Sequence, residues 1–356
     1  MYKMCFRKRW WSSVLFCSLF TFCEAQQKID LLFVGDLMQH DSQIAAAKNN
    51  NSYNYDECFQ YVKDEISAAD VAIGNLEVTL GGKPYRGYPA FSAPDEYLQA
   101  IQRAGFDVLL TANNHCLDRG KKGLLRTLKQ LDKCQLPHLG TYSDSLSKTK
   151  TYPLLLEKNG FRIVFLAYTY ATNGISVTPP TLVNYIDKKK MHRDITKAKA
   201  MQPDVIIACM HWGDEYHLKQ NREQEALADW LIAEGVTHVI GSHPHVVQPI
   251  EVRPSRYYAD SHVVAYSLGN FISGMKKRTT RGGLMVKMTL KKHFTYTRLD
   301  TCSYSLVYVS HPNAKRKNYV LLPVRTAIHH LAPLEAKRLI LFKKGISSVF
   351  REESLQ

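Results

Sequence analysis

Val205-Ile206-Ile207-Ala208-Cys209-Met210 runs without a break into His211-Trp212-Gly213. A continuous apolar run of this length, rich in β-branched residues, reads as a strand buried on both faces, as in a sheet covered by helices. Directly after it comes a histidine, a side chain that can ligate a metal or move a proton. The same arrangement recurs on either side. Residues 29–34 lead to Gly35-Asp36, 71–74 to Asn75-Leu76-Glu77, and 108–112 to Asn113-Asn114-His115. Residues 238–240 lead to Gly241-Ser242-His243-Pro244-His245, and 263–268 lead to Gly269-Asn270.

Between several of these runs, residues 59–68, 96–104, 124–133 and 224–234 space apolar positions three and four apart, which reads as amphipathic helix. Strands alternating with helices imply βαβ units, an α/β class and a mainly parallel sheet. Ligands in such sheets bind beyond the carboxyl ends of the strands, where every polar cluster lies here. Residues 172–190, with Pro179-Pro180, read as a surface excursion able to cover part of that end. After about Gly283 the pattern changes: 284–290, 294–299, 305–309 and 319–324 read as strands, and 334–343 as a final helix. No site-like cluster succeeds them, so this tail reads as a β-rich accessory element. The expected organisation is a leader over 1–25, a catalytic-type domain over 26–283 and the accessory element over 284–356.

The leader is read from Lys3, Arg7, Lys8 and Arg9 preceding an apolar stretch over 10–23, too short to span a bilayer comfortably. Ala25 and Cys23 supply small residues for cleavage before Gln26. A retained anchor is the alternative, while Phe22 argues against lipidation at Cys23. The expectation is an exported chain, periplasmic or at the cell surface. Five cysteines then remain, Cys58, Cys116, Cys134, Cys209 and Cys302, with no CxxC spacing. That excludes a zinc ribbon and a full disulfide framework, and leaves isolated disulfides open. The formal net charge of +15 stays clearly positive without the leader. Its excess sits in runs at 188–190, 276–278 with Arg281, 291–292 and 315–317, which are either solvated faces or a surface for an anionic polymer. Export and the lack of an aromatic-basic motif argue against nucleic acid.

His243-Pro244-His245 places two imidazoles one residue apart, able to ligate one metal or address two. An HxH in a surface loop is the bland reading. With His211, Asp36 and Glu77 arriving from other strand ends, the metal reading gains weight, and Glu77 could bridge two cations that together hold a nucleophile and a phosphoryl oxygen. In Asn113-Asn114-His115 the asparagine oxygen is a modest ligand and His115 a candidate general acid, with Asp118 fixing its tautomer. An asparagine here could equally cap the following helix.

Taken in order, Gly35-Asp36-Leu37-Met38, Asn75-Leu76-Glu77, Ala112-Asn113-Asn114-His115-Cys116-Leu117-Asp118-Arg119-Gly120, His211-Trp212-Gly213-Asp214-Glu215-Tyr216, Gly241-Ser242-His243-Pro244-His245-Val246 and Tyr266-Ser267-Leu268-Gly269-Asn270-Phe271 resemble the bacterial capsule-synthesis CapA family. Its members are associated with poly-γ-glutamate production, and its domains are similar to calcineurin-like metallophosphoesterases. The resemblance covers about residues 29–275. It implies a four-layer αββα sandwich, two sheets between helices, in place of the single doubly wound sheet that periodicity suggests. It implies a divalent metal site, two ions of manganese, iron or zinc, held by Asp36, Glu77, Asn114, His211, His243 and His245. It further implies a metal-activated water as nucleophile, with His115 as general acid beside Asp118. Glu215, Tyr216 and Asn270 become candidate substrate contacts. The bland readings are an arginine partner for Glu215, a turn cap for Asn270 and packing for Trp212. Met38 stands where the phosphoesterase pattern has a histidine, and His40 is the substitute within reach.

Three functions are compatible with this set of residues. One is a metal-dependent hydrolase or transferase acting on a phosphoester or on an amide such as the γ-glutamyl bond. Another is a non-enzymatic assembly factor that binds anionic polymer, such as poly-γ-glutamate, or a membrane capsule-synthesis partner. A metal-stabilised binding module without turnover is the third.

Overall fold

The computed structural model describes residues 27–349 apart from 256–259, 294–295, 315 and 328–330. The expected leader over 1–25 lies outside the described residues. The chain first lays down β1 (Lys28–Leu37), β2 (Val71–Leu76), β3 (Val108–Leu110) and β4 (His138–Leu139). It then crosses to β5 (Leu154–Lys158), β6 (Phe161–Thr169), β7 (Val205–His211), β8 (His238–Ser242), β9 (Ile250–Pro254) and β10 (Ser261–Ala265). Finally it returns for β11 (Asn270–Ile272), β12 (Gly282–His293), β13 (Tyr296–Ser310) and β14 (Val320–Pro323).

Two large sheets result. The first has the order β14-β13-β12-β1-β2-β3-β4, with β11 also paired to β1, and the second β9-β10-β8-β7-β6-β5. Each has a parallel centre: β1, β2, β3 and β4 in the first, β6, β7, β8 and β10 in the second. Antiparallel strands flank both centres.

Period-two alternation explains how one strand serves two layers. Ile29, Leu31 and Phe33 of β1 join the core between the sheets, while Leu32 and Val34 join a second core under the helices. In β2, Val71 and Ile73 face one core and Ala72 and Leu76 the other. Phe33 meets Phe165 of β6 across the interface, ring centroids 6.5 Å apart. Outside the first sheet lie α1 (Asp56–Phe59), α2 (Lys63–Ala68) and α3 (Asp95–Ala104), whose Phe59, Ile66, Leu98 and Ile101 complete the second core. The helix α4 (Gly120–Lys133) comes after the loop that leaves β3. Outside the second sheet, α5 (Lys188–Ala200) and α6 (Arg222–Ala233) contribute Met191, Ile195, Leu227 and Leu231. The architecture is the expected four-layer αββα sandwich, two sheets between two layers of helices.

Four local readings change. The helix expected over 59–68 is two short helices, because a turn at 60–62 lets Phe59, Val62 and Ile66 all reach the core. Residues 188–190, read as the end of a surface excursion, open α5, where Asp187 caps the backbone N–H groups of Lys189 and Lys190. The strand expected over 263–268 ends at Ala265. Strands β5 and β6 were not anticipated. The β-rich tail pairs directly with the site-bearing sheet: β12 runs antiparallel to β1 from Lys28↔Lys291 to Val34↔Met285. The final helix, α7 (Pro333–Ile346), packs Phe342 against Tyr308 of β13. Among the described residues no helix is long and apolar enough to cross a membrane.

Candidate metal centre

Both parallel centres point their carboxyl ends the same way, and the polar clusters meet there. Register places Asp36 beside Asn75 on one side and Asn270 on the other. That approach needs a glycine: a Cβ on Gly35 would lie 1.8 Å from the Gly269 carbonyl oxygen. From the second sheet, His211 pairs in register with Ser242, immediately before His243 and His245.

Asp36, Glu77, His211, His243 and His245 are all buried. Ligand atoms of Asp36, Glu77 and His211 lie within 4.8 Å of one another, as do those of Glu77, His243 and His245. Glu77 belongs to both groups, the position a bridging carboxylate would take. Its Oε1 lies 3.7 Å from His211 Nε2 and 3.9 Å from His245 Nε2. Glu77 Oε1 and His243 Nδ1 are buried with no hydrogen-bond partner. Unpaired buried acceptors are costly, so their convergence fits a cation between them. His245 Nδ1 faces Asp36 Oδ2 at 3.2 Å and Asn270 Oδ1 at 3.1 Å. Donating that N–H leaves Nε2 bare toward Glu77, the usual orientation of a metal-binding histidine.

The field at the site stems from burial. Desolvation, then the Asp36 carboxylate, pushes Glu77 well above the ordinary range. Desolvation, with neighbouring imidazoles, holds His211 well below its usual value and His243 down to about 3. Neutral imidazoles suit a divalent cation as they stand, and such a cation would return Glu77 to its charged form.

Asn114 Oδ1 accepts from His211 Nε2 at 2.9 Å, joining the two sheets at the centre. His115 lies behind it, its Nδ1 donating to Asp118 Oδ2 at 2.8 Å, while Phe91 N donates to the same oxygen. Burial raises the Asp118 pKa against the opposing pull of His115. Glu215 and Tyr216 are exposed at the rim, and no arginine forms an ion pair with Glu215 among the described residues. Asn270 Nδ2 donates to Thr280 O at 3.0 Å, so its amide joins His245 to a later loop and does not cap its own turn. Trp212 packs, its indole N–H on Tyr266 O. Met38 is buried in the helical-side core. His40 is outside both ligand groups: Gly274 N donates to its Nδ1 and Phe91 meets its ring edge-on.

Three contributors were not anticipated. Asn75 Nδ2 donates to Asp36 Oδ1 at 2.8 Å and reaches Glu77 Oε2 at 3.4 Å. Tyr170, half exposed after β6, lays its ring 4.5 Å from His243 and nearly parallel to His211. Burial, then Glu215, pushes its phenol up to about 12. Asn173 accepts from the Asn114 amide. The strand-end rule would have found Tyr170, since the apolar run 161–169 precedes it. An aromatic there lacked the chemistry that drew notice to the other runs.

The chain is similar to known capsule-synthesis proteins. The family described as bacterial capsule synthesis protein PGA_cap matches residues 30–275. A capsule biosynthesis protein CapA of Bacillus anthracis is 30% identical over 76% of this chain and 66% of its own length. A PGA biosynthesis protein CapA of Bacillus subtilis is 30% identical over 81% of this chain and 76% of its own. Among solved structures, the NAD nucleotidase of Haemophilus influenzae superposes with a TM-score of 0.51 at 12% identity, over 91% of this chain and 63% of that one. At that identity the likeness concerns the fold alone.

Proposed function

The chain belongs to the bacterial capsule synthesis protein PGA_cap family, and from that premise we propose that it is an exported protein of capsule or poly-γ-glutamate synthesis with a metal-dependent hydrolase site. The observation that carries this is the convergence of the unpaired Glu77 Oε1 and His243 Nδ1 with Asp36, His211 and His245. Asp36, Glu77, Asn114, His211, His243 and His245 would hold one or two divalent ions. Bound there, the metal would acidify a water and polarise the scissile group. His115, held by Asp118, donates the proton to the leaving group. Tyr170 covers the histidine side of the centre and limits solvent.

Metal content of purified 26–356, beside His211→Ala and His245→Ala, tests the reading. About two equivalents in the parent, lost in both variants, with turnover of a phosphoester or γ-glutamyl substrate, is the expected result. No metal under several loading conditions would overturn it. The basic runs favour the second reading, a polymer-binding assembly factor, in which binding survives both substitutions.

A further inference from the structure

Three exposed tyrosines stand at the mouth of the centre, each from a different loop and each against a different histidine. Tyr88 meets His115, Tyr170 meets His243 and Tyr216 meets His245. Tyr216 differs from the other two in its backbone and in what it carries. Its φ is +68°, while His243 and His245 have +102° and +58°. The remaining described non-glycine residues with positive φ are asparagines or glutamines, and asparagine and histidine are among the types that visit that region most readily. Tyr216 is the one tyrosine held at positive φ among the described residues, and its N–H is anchored on Pro244 O at 2.8 Å. The strained backbone presents the ring face to Lys277, whose Nζ lies 3.5 Å from the ring centroid.

Lys277 makes no ion pair with a carboxylate among the described residues. Its loop is fixed. Thr280 donates to Lys277 O through both N–H and hydroxyl, and Asn270 Nδ2 donates to Thr280 O. Asn270 in turn accepts from His245 Nδ1. One continuous set of hydrogen bonds thus sets the Lys277 backbone relative to a ligand histidine, and the Tyr216 ring receives the ammonium. Glu215 stands beside Tyr216 and Asp36 lies within the centre, while Lys276 and Arg278 flank Lys277 in the chain. An anion approaching that rim is repelled by Glu215 and drawn to the Lys277 ammonium.

We propose that Lys277, held on the face of Tyr216, is an anion subsite that selects substrates carrying a carboxylate or phosphate one unit away from the bond at the metal centre. The inference rests on the reading of the centre as a substrate site, and Lys277 lies beyond the family match that ends at 275. A γ-linked glutamate chain suits it, since each residue carries a free α-carboxylate beside the amide. A phosphate of a polyanion offers the same chemistry.

The test is fluorescence anisotropy of a labelled short oligo-γ-glutamate on the His211→Ala background, with polyphosphate as competitor. Lys277→Gln and Tyr216→Leu should each weaken binding about five- to tenfold at low salt, an effect that shrinks at high salt. Lys277→Arg should restore most of it. Lys63→Gln, on the outer helix α2, controls for net charge. An equal loss in Lys63→Gln, no change in Lys277→Gln, or no binding of either polyanion overturns the proposal. Lys277-dependent binding of polyphosphate alone assigns the subsite to phosphate. Lys277-dependent binding, together with a parent 26–356 protein that takes up no metal under several loading conditions, leaves the subsite standing and overturns the hydrolase reading.

Discussion

Glu77 Oε1 lies 3.7 Å from His211 Nε2, both residues fully buried, and that oxygen has no hydrogen-bond partner. One residue comes from a strand end of the first sheet and the other from the second. The site is therefore a seam between the two sheets, with the unpaired Glu77 oxygen in it.

That arrangement sets stability against binding. Glu77→Gln removes a buried carboxylate that lacks a full set of partners. The metal-free variant should be more stable than the metal-free parent by about 1–3 kcal/mol. Added divalent metal should raise the melting temperature of the parent and leave that of the variant unmoved. Calorimetry with and without metal reads both; equal metal response in the two proteins would contradict the bridging role.

Asn75 holds Asp36 and reaches Glu77 with one amide, and its own oxygen accepts from Asn113, which also ties down Leu76 O. Asn75→Ala should lower metal affinity about 10- to 100-fold while the far-ultraviolet dichroism stays parental. Competition against a metallochromic chelator measures it. An unchanged affinity would make the amide a packing group.

His115 as general acid predicts a leaving-group signature. His115→Ala should cut kcat about 10²- to 10⁴-fold for substrates with basic leaving groups, and far less for p-nitrophenyl esters. Asp118→Asn should fall between parent and His115→Ala on the poor leaving groups. A loss equal for good and poor leaving groups would assign His115 to binding.

His238 gives a stability prediction away from the centre. Its ring is fully buried in β8, Val263 N donates to its Nδ1, and burial lowers its pKa to about 3. The unfolded chain takes up a proton near pH 6.5, so between those values the unfolded state binds more protons and stability falls with falling pH. The loss should reach about 2 kcal/mol by pH 5. His238→Asn keeps an acceptor for Val263 and removes the titration, so urea unfolding at pH 5 and 7.5 should differ less in the variant. Identical differences in both proteins would remove His238 as the cause.

What the chain determined alone is local and periodic. Apolar runs at 29–34, 71–74, 205–210 and 238–240 demand burial on both faces, so they are strands. Turn-forming and ligand-type residues directly after them must then lie at carboxyl ends, which placed Asp36, Glu77, His211, His243 and His245 together. Tertiary structure decided what depends on partners distant in sequence. The segment 284–290 reads as a strand wherever it packs, and only its antiparallel pairing with β1 puts it beside the strand of Asp36. The helix over 188–200 hid in a charge run because its buried face, Met191, Ile195 and Ala198, is narrow. Asn75 stands within a recognisable motif, yet its role depends on the β1–β2 register that sets its amide on Asp36. Lys277 carries no signal in a basic run. Its position arises from the Thr280, Asn270 and His245 hydrogen bonds that stretch across the fold, and such long-range geometry has no periodicity for a sequence to display.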